Sequence, residues 1–472
     1  MAEVIESSNH HVTAREDRIP VFQKIVYSIG ALVNQSQAAA ISAMVLVLNL
    51  GLGMNPVLVG LVGTIPRLLD AFTDPLIGYT SDNTRTRWGR RRPYLFFGAL
   101  ASGFFFALMF QLYKGHTESY YFWYFLIIQC LFVVAFAFYS IPLIALGFEM
   151  TPDYHERTRL QGVGNSVSQI AWFCSPWLFT FMYSNKDLVH GVRLIAIIIG
   201  VFLALGGILP AIFNKEHFVN LPKPEKKHVL KNFFSGFAIA LKNRPFIKLC
   251  AVTFLVFNGF MLASAFITYV IFFYDFGGDY AKGGILLGVY GMFSAFCMFC
   301  AIAVITWIST KIGKRNTFLI TIPISIVGYA LKWVGYNPHH PYLLLIAAPF
   351  IAFGLGSVFT IISSMLADVC DLDELHTGKR REGTFGAIYW WMIKLGQAAA
   401  SLISGILLNA TGFNVALGGH QTAHTLLYMR LCDIGIPIVT SIIAIFIILT
   451  FEVTEDKAYE IRKQLEERRG KA

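Results

Sequence analysis

The sequence predicts an all-α integral membrane protein with about twelve transmembrane helices in two six-helix halves. Three observations carry that prediction: long apolar runs, basic residues confined to alternate loops, and a weak internal repeat. The chain of 472 residues is 56% hydrophobic and 14% charged, with a mean hydropathy of +0.59. A soluble domain carries about 25% charged residues. Phe, at 42 residues, supplies most of the aromatic content, which suits lipid-facing helices with Tyr and Trp nearer the interfaces.

The N-terminal segment 1–20, MAEVIESSNHHVTAREDRIP, is polar and mixed in charge. It lacks the basic-then-apolar layout of a signal peptide, so the first apolar run is read as a retained membrane helix. Apolar runs near 21–48, 57–81, 94–112, 120–150, 161–184 and 191–214 form an N-terminal half, 21–214. A cytoplasmic linker is placed at 215–245, where NLPKPEKKHVLKN supplies Pro and Lys. Runs near 246–274, 283–309, 316–335, 342–366, 384–411 and 426–452 form the C-terminal half, 246–452. Several are long enough to tilt or to project past the bilayer. The tail 453–472 is strongly charged, with Tyr459, Ile461 and Leu465 interspersed, and reads as a short cytoplasmic helix.

The net charge of +10 does not indicate nucleic acid, because the basic residues lie in short loops between apolar runs. Those loops hold Arg85, Arg87 and Arg90 to Arg92; Arg157 and Arg159; seven basic residues from Lys215 to Arg244; Lys311, Lys314 and Arg315; and Lys379, Arg380 and Arg381. The intervening loops hold little beyond Lys114, Lys186, Arg193 and Lys282. Basic loops stay in the cytoplasm, which places both termini there and the protein in the cell (inner) membrane as a multi-pass chain. A missed helix would invert the pattern downstream. WGRRRPYL (88–95) is similar to IGKRNTFL (312–319), and HERTRLQG (155–162) to HTGKRREG (376–383), at nearly equal offsets in corresponding loops. Two such repeats fit a transporter that rocks one half against the other around a midplane site.

Other functions find little footing. Cys297 and Cys300 form a CxxC inside an apolar run with no second ligand pair, and read as small hydrophobes. His10 with His11, and His339 with His340, have no further ligands nearby and read as loop residues, so no metal site is expected. No nucleophile–base set marks an enzyme. The chain is read as a monomer with membrane lipid and a small molecule as its partners, and no cofactor.

The stretch RLLDAFTDP (67–75) places Arg67, Asp70 and Asp74 at membrane depth. The aspartates are four apart, so they share a helix face, with Arg67 on the same side. Such charges should face the protein interior or water. Two carboxylates can ligate a small hard cation, or one can hold a proton. The structural alternative is an Arg67–Asp70 ion pair, which leaves Asp74 unaccounted for. Pro75 follows and loosens the helix ladder beside the site. Lys394, in AIYWWMIKLGQ, lies ten residues into its run. It either snorkels to an interface or pairs with Asp70 or Asp74 across the halves. Trp390 and Trp391 are candidates to stack on a sugar, or to pack. The polar run NQSQ (34–37), which includes Gln35, and residues Ser140 and Asn165 are further cavity candidates, or groups that hydrogen-bond between helices.

RLLDAFTDPLIGYTSDNTRTRWGRRRPYL and MLADVCDLDELHTGKRREGTFGAIYWWMIKLG resemble the second-helix and the tenth-to-eleventh-helix signatures of the glycoside–pentoside–hexuronide:cation symporters, the melibiose-permease-like branch of the major facilitator superfamily. The resemblance spans nearly the whole chain and implies the major facilitator fold. It implies that Asp70 and Asp74 are the coupling-cation carboxylates with Arg67 beside them, and that Lys394 lies close to both cation and sugar. Gln35, Ser140 and Asn165 fall where melibiose permease has two sugar-binding aspartates and an arginine. Ala137 stands where it has a sodium-holding threonine, and Ile144 where it has a tryptophan on the sugar. Losing two carboxylates while Arg67 and Lys394 remain points to an acidic sugar such as a hexuronide, or to a different neutral glycoside. Losing the threonine leaves Na+ and H+ both open as the coupling cation.

The expectation is therefore a secondary active transporter that carries a sugar with a cation by alternating access. Its rivals are a lipid-type transporter of the same superfamily and a non-transporting membrane sugar sensor. Arg85, Arg90, Arg157 and Arg380 in the basic loops, facing Asp82, Asp368, Asp371 and Asp373, are expected to form cytoplasmic ion pairs that hold one state closed.

Overall fold

The computed structural model describes residues 18–151, 154–183, 187–216, 242–378 and 382–469. Its membrane helices are α1 (Val21–Leu50), α2 (Pro56–Asn83), α3 (Arg92–Met109), α4 (Glu118–Glu149), α5 (Tyr154–Cys174), α6 (Leu188–Phe213), α7 (Arg244–Asp275), α8 (Tyr280–Ile312), α9 (Lys314–Gly335), α10 (Pro341–Thr377), α11 (Glu382–Ala410) and α12 (Ala423–Leu449). A last helix, α13 (Glu455–Arg469), follows them. Eleven spans among the described residues are long and apolar enough to cross a membrane, and α5 is the exception. Its first turns carry His155, Glu156 and Arg159, its middle carries Asn165, Ser166, Ser168 and Gln169, and Pro176 then breaks it into a 3-10 turn and the short helix Leu178–Met182. This is a multi-pass helical membrane protein.

Caps follow from the residues at the helix starts. Asn55, Thr117, Asp187, Asn243, Asp279 and Thr422 each accept a hydrogen bond from a backbone N–H of the first turn, satisfying donors the helix cannot. Five of those caps begin helices at one end of the molecule, called here the outer end; the basic loops lie at the other. The expected tail helix is α13. Its Ile461 and Leu465 are buried in the core of the C-terminal half with Phe451 and Val453, so it packs against that half rather than lying free.

The two halves fasten their basic ends in the same way. Gly89 (φ 116°) lies against the carboxylate of Glu216, just past α6, and Gly313 (φ 79°) lies against that of Glu455, just past α12. Only glycine adopts that backbone without strain. The next residue of each pair is cationic and binds an acid: Arg90 to Glu149 at 2.6 Å, and Lys314 to Asp368 at 2.7 Å. Arg92 then donates to the carbonyls of Ala211 and Ile212, and Arg315 to those of Ile448 and Leu449. Basic side chains thus cap the C-termini of α6 and α12, where orphan carbonyls and the helix dipole favour them.

At the outer end the halves are sealed against one another. The Tyr269 hydroxyl donates to Asn49 Oδ1 at 3.1 Å. Phe179 packs on Phe272 and Tyr183 on Tyr280, with ring centroids 4.6 and 5.5 Å apart. The helix α8 offers Gly284, Gly288 and Gly291 to the end of α5, where a Cβ at Gly288 would stand 2.8 Å from the Trp177 ring and one at Gly291 would stand 2.3 Å from Pro176. Gly288→Leu therefore cannot coexist with this seal and is expected to shift the protein toward the state open at the outer end. A cysteine at Asn49, a position 1% exposed here, introduced in a background freed of native cysteines, should react several-fold faster with an impermeant maleimide when Gly288→Leu is added. An unchanged rate would mean that the Trp177 contact does not hold the seal.

Candidate functional site

The seam between α2 and α11 runs from the outer end to mid-membrane. Gly405 lies against the Pro56 carbonyl, and Gly60 against the Ser401 carbonyl, so closely that a Cβ would stand 2.2 and 2.6 Å away. The Thr64 hydroxyl donates to the Ala398 carbonyl at 2.9 Å. One turn further in, the Arg67 guanidinium donates to Gln397 Oε1 at 2.5 Å. One turn beyond that, the Lys394 ammonium lies between Asp70 and Asp74, 2.8 Å from Asp70 Oδ2 and also bonded to Asp74 Oδ2. Helical spacing explains the order: residues 60, 63–64, 67, 70–71 and 74 form one stripe of α2, and 394, 397–398, 401 and 405 the matching stripe of α11. Pro66 and Pro75 both lie inside α2, and Pro75 leaves the Ala71 carbonyl without its helical donor.

Of the two positions open to Lys394 in the sequence, the structure takes the one between the aspartates rather than at an interface. The Lys394 side chain is 32% exposed, that of Asp70 21% and that of Asp74 31%, so the ions are half-buried and reachable. Lys394 and the two carboxylates together carry one surplus negative charge. Arg67 balances it, yet its guanidinium is drawn across to Gln397 rather than hydrogen-bonded to Asp70. A cation entering between the carboxylates would compete directly with the lysine ammonium, which is a tethered occupant of the same position. That competition would also break the innermost of the contacts named along this seam, a way in which ion occupancy and the angle between the halves can be linked.

The other candidates are dispersed. Trp390, one turn inward of Lys394 on the same face of α11, is 57% exposed. Trp391 is half-buried. Gln35 on α1 and Ser140 on α4 are half-buried and Asn165 on α5 is exposed; none is hydrogen-bonded to the Lys394 cluster. Gln37, from the same NQSQ run, is fully buried, and neither polar atom of its amide has a hydrogen-bond partner among the described residues. Gln397 was not singled out from the sequence, although its place three residues after Lys394 put it on the same face.

Two of the expected gating residues, Arg90 and Asp368, have partners in their own half. Arg90 and Arg91 bind Glu149 at 2.6 and 3.0 Å, and Asp368 binds Lys314 at 2.7 Å, so both attachments lie within one half. The physical reason is proximity: the first turn of each half's third helix lies over the inner end of its fourth. Arg85 is exposed just past α2, and Asp371 is half-buried on α10. Arg380, and the side chains of Asp82 and Arg157, lie outside the described residues.

Residues 26–455 match the protein family described as MFS/sugar transport protein. The isoprimeverose transporter of Lactiplantibacillus pentosus is 24% identical over 393 residues, covering 82% of this chain and 79% of its own. The glucuronide carrier protein homolog of Escherichia coli (strain K12) is 24% identical over 420 residues, covering 88% and 89%. Among solved structures, a D-xylose-proton symporter superposes with a TM-score of 0.62 at 14% identity, covering 93% of this chain and 99% of that one.

Proposed function

This chain belongs to the MFS/sugar transport protein family, and on that footing we propose that it imports a glycoside, neutral or acidic, together with a Na+ ion or a proton bound at Asp70 and Asp74. It is a secondary active transporter, not an enzyme. The observation that carries the reading is the Lys394 ammonium held between two carboxylates of the opposite half. Cation entry displaces the lysine and loosens the inner end of the α2–α11 seam. Sugar and cation together then permit the halves to rock, and each ligand raises the affinity for the other.

The rule that basic loops stay inside assigns the basic end to the cytoplasm, so the conformation described is closed to the outside. The same rule puts both termini in the cytoplasm and the chain in the inner membrane. Sugar as the cargo is supported by the relatives named for sugars. An acidic sugar is favoured by Arg67, which keeps its charge at the site with an uncharged amide as its hydrogen-bond partner. Gln35, Ser140, Asn165 and the exposed Trp390 are the proposed sugar contacts.

The test is uptake of a panel of neutral glycosides and hexuronides into vesicles containing the purified protein, with Na+ and pH gradients imposed separately. Accumulation under one gradient alone identifies the cation. Accumulation of melibiose with no uronide taken up would overturn the acidic-sugar reading. Uptake of a lysolipid in place of any sugar would overturn the cargo class, and binding without uptake would leave a sensor.

A further inference from the structure

Ionisable side chains that the cation site does not use are buried toward the outer end of the C-terminal half. Lys332 on α9 and Asp433 on α12 are 2% and 0% exposed and form a 2.6 Å pair, and the Tyr336 hydroxyl donates to the second Asp433 oxygen at 2.6 Å. Arg430 on α12 donates to the Trp333 carbonyl at 2.9 Å and lies over the rings of Trp333 and Tyr274, at 4.2 and 4.3 Å. Asp275, the last residue of α7, differs from all of these. It is 4% exposed, and neither of its oxygens accepts a hydrogen bond from a described protein group. The Nε–H of Arg430 is likewise buried without an acceptor.

Lys332 and Asp433 neutralise each other. The faces of Trp333 and Tyr274 attract the Arg430 guanidinium. An ionised Asp275 free to reach Arg430 would take its open Nε–H in a charge-assisted bond. It does not, and leaving a carboxylate buried and unpaired is strongly unfavourable, a penalty the neutral acid avoids. Besides Arg430, the titratable groups that face it are Tyr274, next to it on its own helix, and Tyr336 of α9, which links it to the Lys332–Asp433 pair.

Its position ties it to the outer seal. Asp275 ends the π-helical turn Ile271–Asp275, a departure from α geometry common at functional sites. Phe272 of that turn packs on Phe179 of the other half. Gly278, three residues on, abuts Gly419 so closely that a Cβ would stand 2.9 Å from it.

We propose that Asp275 is a proton-binding site separate from Asp70 and Asp74. It holds a proton while the outer end is closed. When that end opens, it releases the proton to the outer solution, and the carboxylate then pairs with Arg430.

Infrared difference spectroscopy of the full-length protein in lipid near neutral pH tests this through the carbonyl stretch of a protonated carboxylic acid, identified by its shift in heavy water. The band is expected in the wild type, kept in the Asp70→Asn/Asp74→Asn double variant, and lost in Asp275→Asn, whose amide matches the neutral acid in shape. Asp275→Glu, which keeps a carboxyl, should move the band rather than remove it. Absence of the band in the wild type, its persistence in Asp275→Asn, or its loss only in the Asp70/Asp74 variant would each overturn the proposal.

Discussion

Asp70→Asn and Asp74→Asn are each expected to abolish accumulation of sugar against its gradient. For a neutral glycoside, a coupling ion carrying one charge through about 100 mV releases about 2.3 kcal/mol, enough to sustain a roughly fifty-fold concentration ratio; with a hexuronide anion the two charges cancel, and the cation's own concentration gradient drives accumulation. Both variants should fall to near equality inside and out while still equilibrating sugar downhill. The reason lies in the charge count. With both aspartates present, Lys394 and Arg67 together balance the two carboxylates, and a cation that displaces the lysine ammonium meets two negative charges. With either aspartate replaced, Arg67 and Lys394 outweigh the one remaining carboxylate, and an added cation meets a net positive site that does not compensate for its lost hydration. The measurement is steady-state accumulation in vesicles with an imposed membrane potential and Na+ and H+ gradients. Concentrative uptake by both variants would remove the coupling role from this pair.

Asp70 and Asp74 were legible as a candidate pair because two carboxylates four residues apart inside an apolar run have few structural explanations. Lys394 was legible only as a choice between an interface and the pair, since sequence spacing does not say which neighbour a helix face meets. Gln397 carried no signal of its own, as a single amide in a span is ordinary. The buried groups of the C-terminal half were passed over for a different reason. Lys332 lies within a turn of the end of α9, where a lysine normally snorkels, and its partner Asp433 is 101 residues away with no motif around it. The basic loops were legible as topology, but their partners Glu149 and Glu216 were not, because a charge tally assigns residues to a side of the membrane without pairing them. The fold was legible nearly throughout, α5 being the faint case because its polar first turns dilute the apolar run.

The largest stability effect is expected at the Lys332–Asp433 pair. Asp433→Ala leaves the Lys332 ammonium at 2% exposure with no counter-charge, and removing one partner of a buried pair costs about 3–5 kcal/mol. It also leaves the Tyr336 hydroxyl without its acceptor, a further cost of about 1–3 kcal/mol if nothing replaces it. The variant should lose much of its thermal stability in detergent or lipid. The charge itself is not what the fold requires. Replacing the pair by apolar groups of similar volume, Lys332→Met with Asp433→Leu, removes both desolvation penalties together and should recover most of the loss. Adding Tyr336→Phe should recover the remainder by removing the orphaned hydroxyl. That ordering, with the single variant least stable and the triple most nearly restored, separates an unpaired buried charge from a simple loss of volume. A cavity alone would make the double variant's recovery depend on side-chain size and would leave Tyr336→Phe without effect. Thermal unfolding of all three, followed by loss of monodisperse protein on heating, distinguishes the two.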